Sequence, residues 1–123
     1  MNVFDASALL AYLRGEPGAE QVRAALEEGG ACCAANWSEV AQKVRSAGAD
    51  WDLARGLLLG YELVVESVTV DDAESAAAAW RHGSPLSLAD RLCLALAERL
   101  DATAWTADAA WRDHPRVRLI RER

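Results

Sequence analysis

Lysine is nearly absent, cysteine is scarce and unpaired, and no long apolar run occurs; each shortage removes a class of protein. Lys43 is the only lysine among 13 basic residues, which face 19 acidic ones for a formal charge of −6. A balance this acidic argues against bulk electrostatic binding to nucleic acid or an anionic membrane. The three cysteines are odd in number, two of them (Cys32 and Cys33) are adjacent, and no Cys-x-x-Cys spacing exists. His82 and His114 lie far from them in sequence. A disulfide framework and a Cys/His zinc site are therefore both disfavoured, and Cys32, Cys33 and Cys93 read as small buried hydrophobes in a reducing compartment. The first residues, MNVFDASALL, carry no basic region and meet Asp5 early. They do not read as a signal peptide, and no apolar stretch approaches the roughly 20 residues of a membrane span. The expectation is a soluble cytoplasmic protein without membrane association.

What is present is ordinary globular composition: 123 residues, 52% of them hydrophobic and 26% charged. That suits one domain over residues 1–123 and excludes a disordered chain. Charge is uneven. Residues 112–123 hold five arginines against Asp113 and Glu122, a local +3, so the preceding residues carry −9. A solvated C-terminal strand and tail explains the basic segment more simply than an RNA-tracking stripe.

Along the chain, short apolar runs alternate with helical periodicity. Strands are expected at Asn2–Asp5, Ala31–Ala35, Glu62–Val68, Thr103–Thr106 and Val117–Ile120. Helices are expected at Ser7–Arg14, Ala19–Glu28, from Asn36 to near Gly48, and at Asp50–Leu59, Asp71–Arg81 and Ser87–Leu100, with a short one around Ala109–Trp111. The breakers fall between them, at Gly15-Glu16-Pro17-Gly18, Gly29-Gly30 and Gly83-Ser84-Pro85. This alternation predicts βαβ units and a three-layer α/β/α sandwich with a central, mainly parallel sheet.

Ligands of such sheets bind at the carboxyl ends of the strands. The pattern puts four acids there: Asp5 at the end of the first strand, Glu39 in the first turn after the second, Asp90 in the first turn of the most apolar helix, and Asp108 after TAWT. Each has a local explanation. Asn36 with Glu39 and Ser87 with Asp90 fit capping boxes, and Asp5 and Asp108 fit N-caps. Together they are harder to dismiss, because carboxylates a few ångströms apart repel by about 1 kcal/mol per pair even in water. Such a set calls for a cation, and oxygen-only donors favour Mg²⁺ or Mn²⁺. A carboxylate-held Mg²⁺ suits in-line displacement at phosphorus. Ser7 and Thr106, two residues from Asp5 and Asp108, offer hydroxyls to a water or phosphate oxygen, or make ordinary turn bonds.

The segments VFDASALLAYLRGEPGAE, NWSEVAQKV, LSLADRLCLALA and TAWTADAAW resemble the PIN-domain ribonucleases, specifically the VapC toxins of bacterial type II toxin–antitoxin pairs. The likeness runs nearly end to end and is most specific around Asp90 and in the TAD ending at Asp108. It implies a PIN-like fold and an Mg²⁺- or Mn²⁺-dependent endoribonuclease cutting structured RNA such as tRNA or rRNA. It also implies that Asp5, Glu39, Asp90 and Asp108 are the metal-binding and catalytic acids, with Ser7 and Thr106 as supporting hydroxyls. Arg91, after the third acid, is implied to contact phosphate or pair with an acid. A homodimer, for which helix Ser87–Leu100 and the leucines of Asp50–Tyr61 also offer surplus apolar surface, and a cognate VapB-type antitoxin that inserts a peptide into the active-site groove complete the expectation. One departure is Ala89, where these toxins usually have glycine; alanine is the better helix former by up to about 1 kcal/mol.

Other readings fit less well. A phosphoacceptor receiver domain needs an acidic pair after the first strand and a lysine near the C-terminal end, and an Asp-x-Asp phosphatase needs a second acid where Ser7 stands. A catalytically weak PIN-like binding module remains the alternative, opposed by the full set of acids.

Overall fold

Five short strands and six helices alternate along residues 1–121, the part of the chain that the computed structural model describes. The order is β1 (Asn2–Phe4), α1 (Ala6–Arg14), α2 (Ala19–Glu27), β2 (Gly30–Cys33), α3 (Ala34–Ser46), α4 (Trp51–Leu59), β3 (Leu63–Glu66), α5 (Val70–Ala78), α6 (Leu88–Arg99), β4 (Thr103–Thr106) and β5 (Val117–Leu119), with a 3-10 turn at Ala109–Trp111 before β5. The strands form one sheet in the order β3-β2-β1-β4-β5. Every neighbouring pair is parallel, with Val3 opposite both Ala31 and Ala104, and Trp105 opposite Arg118. The sandwich expected from the sequence is therefore present, and its sheet is parallel throughout the described residues.

Alternation along the strands divides the core into two layers. Phe4 and Cys32 face α1 to α4, where they pack with Leu9, Leu26, Val40 and Leu58. Val3, Ala31, Cys33 and Ala104 face α6, where they pack with Leu92, Cys93, Leu96 and Trp111. All four residues of β2 are buried, which is why it reads as a continuous small apolar run instead of an alternating one. Cys32, Cys33 and Cys93 are free and buried, as expected.

The helix ends follow local chemistry. Asp5 caps α1 by accepting from the Ala8 amide, and Gly15 closes it in the left-handed region at φ 63°. Asp50 caps α4. Thr69 with Asp72 and Ser87 with Asp90 form capping boxes at α5 and α6.

Three expectations are corrected. Asn36 does not cap α3: the helix starts at Ala34, directly after Cys33, so Asn36 lies inside it and Glu39 falls in the second turn. The two alanines are good helix formers and take the helical conformation as soon as β2 ends. The helix expected to run to Arg81 stops at Ala78, where the Arg81 guanidinium bonds the carbonyls of Ala78 and Trp80, both at 2.8 Å. The apolar length of α6, read as surplus surface for a dimer, is core: Leu92 to Ala97 are all buried. On α4, by contrast, Leu53 is 71% exposed and Leu57 is exposed as well.

The basic C-terminal segment folds back onto the domain. Arg116 bonds Asp101 at 2.9 Å, the Arg118 guanidinium lies 5.4 Å from the Trp105 ring centre, and Arg121 bonds the Pro17 carbonyl at 3.1 Å. The tail positions Glu122 and Arg123 lie outside the described residues. No helix among those described is long and apolar enough to cross a membrane.

Candidate active site

From β1 the sheet grows outward to β2 and β3 on one side, and then to β4 and β5 on the other. The direction of growth reverses between β1 and β4, the place where open α/β sheets form a ligand crevice beyond the carboxyl ends of their strands. Asp5 follows β1 and Asp108 follows β4, so both belong to this crevice. Asp90 and Glu39 approach from the first turn of α6 and the second turn of α3.

Asp5 is the most enclosed of the four, at 4% exposure. Its Oδ1 accepts from the Ala8 amide at 2.8 Å and its Oδ2 from Thr106 Oγ1 at 2.5 Å. Ser7 Oγ sits 2.8 and 2.9 Å from the two oxygens. Both hydroxyls are themselves oriented from β4: the Ala107 amide donates to Ser7 at 2.8 Å and the Asp108 amide donates to Thr106 at 3.0 Å. The hydroxyls flagged in the sequence thus serve as links that tie Asp5 to the segment carrying Asp108. Burial pushes the Asp5 carboxyl up to about 6; the bonds from Thr106, Ala8 and Ser7 oppose the shift, and the charge of Asp90 adds to it.

Asp90 accepts from the Ser87 amide at 2.9 Å through Oδ2. Its carboxyl is also raised, first by burial and then by the negative charges of Asp108 and Glu39, against the Ser87 bonds. Asp90 is therefore the electrostatic centre of the set, sensed by Asp5 and itself sensing the other two. Asp108 caps the 3-10 turn by accepting from the Ala110 amide at 2.9 Å. Glu39 Oε1 accepts from Asn36 Nδ2 at 3.2 Å. Behind the acids, burial pushes the Cys32 and Cys93 thiols well up, so they stay neutral and add no charge.

Among the described residues Arg91 pairs with no acid. Its guanidinium donates to the Ala76 carbonyl at 2.6 Å and pins the end of α5 against the start of α6. Sequence reasoning noted Asn36 only as a cap, yet it is 1% exposed and touches both the Glu39 carboxylate and, at 3.4 Å, the Ala89 carbonyl beside Asp90. Only the packing of α3 on α6 reveals that role; its spacing to Glu39 gave it the look of a cap.

The donor chemistry fits a hard divalent cation. Glu39, Asp90 and Asp108 each spend one carboxylate oxygen on a local bond, leaving the other without a bond among the described residues. Among these residues no three Asp, Glu, His or Cys side chains are gathered closely enough to hold a metal as they stand. The fit is thus one of donor type and charge, not of a finished coordination set.

These features define an α/β domain with an acidic crevice at the reversal point of a parallel sheet. Residues 3–117 match the family model described as the PIN domain, and the chain belongs to that family, whose members are generally nucleases. No curated protein matches the chain. Among solved structures it is similar to a chain of a "Toxin-antitoxin complex from Klebsiella pneumoniae", at 23% identity and a TM-score of 0.79 over 100% of both chains.

Proposed function

We propose that this chain is a Mg²⁺- or Mn²⁺-dependent endoribonuclease acting as the toxin of a type II toxin–antitoxin pair. The observation that carries this reading is the set of acids at one edge of the sheet: Asp5 and Asp108 follow β1 and β4, and Asp90, in the first turn of α6, is raised by burial and by the charges of Asp108 and Glu39 and in turn raises Asp5. A set of that kind is stabilised by a cation and destabilised without one.

The four acids would hold the ion, which supplies Lewis-acid stabilisation of phosphate charge and an acidified water. Thr106, Ser7 and the Ala8 amide hold the Asp5 carboxylate in one orientation. The Ser87 and Ala110 amides do the same for Asp90 and Asp108. The reaction is hydrolysis of an RNA phosphodiester, in structured RNA such as tRNA or rRNA, leaving 5′-phosphate and 3′-hydroxyl ends. An antitoxin of VapB type is the partner this reading requires, and the likeness to a chain from a toxin–antitoxin complex supports it. The exposed Leu53 and Leu57 support a second apolar contact, such as that of a homodimer.

The deciding experiment incubates the purified chain with total tRNA and rRNA in Mg²⁺, Mn²⁺ or EDTA and maps the ends. Cleavage that requires the metal and disappears in Asp90→Ala is expected. Cleavage that survives EDTA or Asp90→Ala overturns the assignment, and absence of any cleavage favours a binding module.

A further inference from the structure

We infer that Asn36 is a positioning residue that sets the Glu39 carboxylate and the first turn of α6 relative to one another, and through them the cation affinity of the site. The inference rests on the proposed metal site. It stands on three observations of one side chain. Asn36 is 1% exposed, although a primary amide so deeply buried is stabilising only when fully bonded. Its Nδ2 makes two bonds to two different elements, 3.2 Å to Glu39 Oε1 on α3 and 3.4 Å to the Ala89 carbonyl on α6. Its Oδ1 is buried and has no hydrogen-bond partner among the described residues.

An orphaned acceptor is an expense in stability that an apolar residue of similar volume avoids. Turning the amide over does not remove it, because an oxygen would then face the Glu39 carboxylate and the Ala89 carbonyl, both of them acceptors. The side chain therefore has one workable orientation, fixed by the two groups it bonds. One of those groups is the Glu39 carboxylate itself and the other is the carbonyl of the residue before Asp90. A single NH₂ thus fixes one acid directly and the backbone beside the other.

Positioning and packing roles separate in the Asn36→Leu variant, which keeps the volume, removes both bonds and removes the orphaned oxygen. Melting in EDTA reads packing; the shift of melting temperature on Mn²⁺ titration reads cation affinity; steady-state cleavage gives kcat and KM. Expected for Asn36→Leu are a melting temperature in EDTA equal to or above wild type, Mn²⁺ affinity weaker by about tenfold, and a fall in kcat with little change in KM. Asn36→Ala, which removes the same bonds without adding bulk, gives the same Mn²⁺ loss and serves if the leucine variant does not fold. Equal Mn²⁺ affinity in wild type and a folded variant overturns the positioning role while leaving the metal site intact. A wild-type protein that shows no Mn²⁺ response overturns the metal site, and this role with it.

Discussion

Thr106 and Asp5 are 101 residues apart in the chain and share the shortest contact in the crevice, with the hydroxyl donating to Oδ2 at 2.5 Å. The bond joins the last residue of β4 to the cap of α1, so a helix terminus, a strand end and an acid are fixed by one group.

Thr106→Val preserves the shape of a residue that is fully buried but removes the hydroxyl that serves Asp5 and the Asp108 amide. Removing one of the donors to Asp5 and the acceptor of the Asp108 amide is expected to cost about 1–3 kcal/mol in urea unfolding. Thr106→Ser, which restores the hydroxyl, is expected to recover most of the loss. Equal stability of the valine variant would show that the bond contributes nothing net.

Stability without metal should fall as pH rises. The Asp5 carboxyl ordinarily titrates at 3.8 and here at about 6, so between these values the folded state binds a proton that the unfolded state has released. The cost is absent below pH 4, grows to about pH 6 and is complete above it, at about 3 kcal/mol from 1.36 kcal/mol per unit. Asp90, raised by burial and by Asp108 and Glu39, acts in the same direction. In EDTA, Asp5→Asn is expected to flatten the pH profile of the melting temperature. A wild-type profile already level from pH 4 to 7 would contradict this.

Far from the crevice, Arg99 donates to Asp72 at 3.0 Å and the Asp72 side chain is nearly buried. Burial alone would push this carboxyl up, but the bonds from Arg99 and Thr69 outweigh it and hold it below the usual range. The sign is therefore opposite to that of Asp5: this pair stabilises the fold above the ordinary carboxylate range, and its contribution is lost in acid. Arg99→Met is expected to cost about 2 kcal/mol at pH 7, less than a fully enclosed pair because the arginine is one-third exposed. Denaturant curves at pH 7 and pH 3 check it; the difference between variant and wild type should shrink at pH 3.

Gly30 is a packing constraint. A methyl group there would stand 2.5 Å from the Asn2 carbonyl oxygen and 2.9 Å from the Phe4 ring. Because the first obstacle is the backbone of the neighbouring strand, Gly30→Ala is expected to destabilise by about 1–3 kcal/mol. An unchanged midpoint in urea would mean that β1 and β2 separate more easily than their packing indicates.

Much of this was legible because its causes are local. The Ser87–Asp90 box, the Asp5 and Asp108 caps and the breakers around Gly15 each depend on a few adjacent residues. Thr69–Asp72 has the same spacing and caps α5, and the same rule finds it. The place of Asn36 and the bond from Arg91 to Ala76 were not legible, for the opposite reason. Asn36 lies at cap spacing from Glu39, but where β2 stops is decided by its pairing with β1 and β3. Arg91 follows an acid in sequence, while its partner, Ala76, belongs to a helix whose crossing over α6 no local pattern specifies. The burial of α6 on both sides likewise appears only once the sheet and α5 are laid against it.

The place of β1 between β2 and β4 has a consequence for the timing of synthesis. A ribosome that has released the chain from β1 through α3 has produced Asp5 and Glu39 but neither β4 nor the hydroxyl of Thr106. Until the later strand emerges and docks, one edge of β1 is unpaired and two of the four acids have nothing to face. On the proposed reading, a nascent chain carries no working crevice while it is still attached to the machinery that makes it.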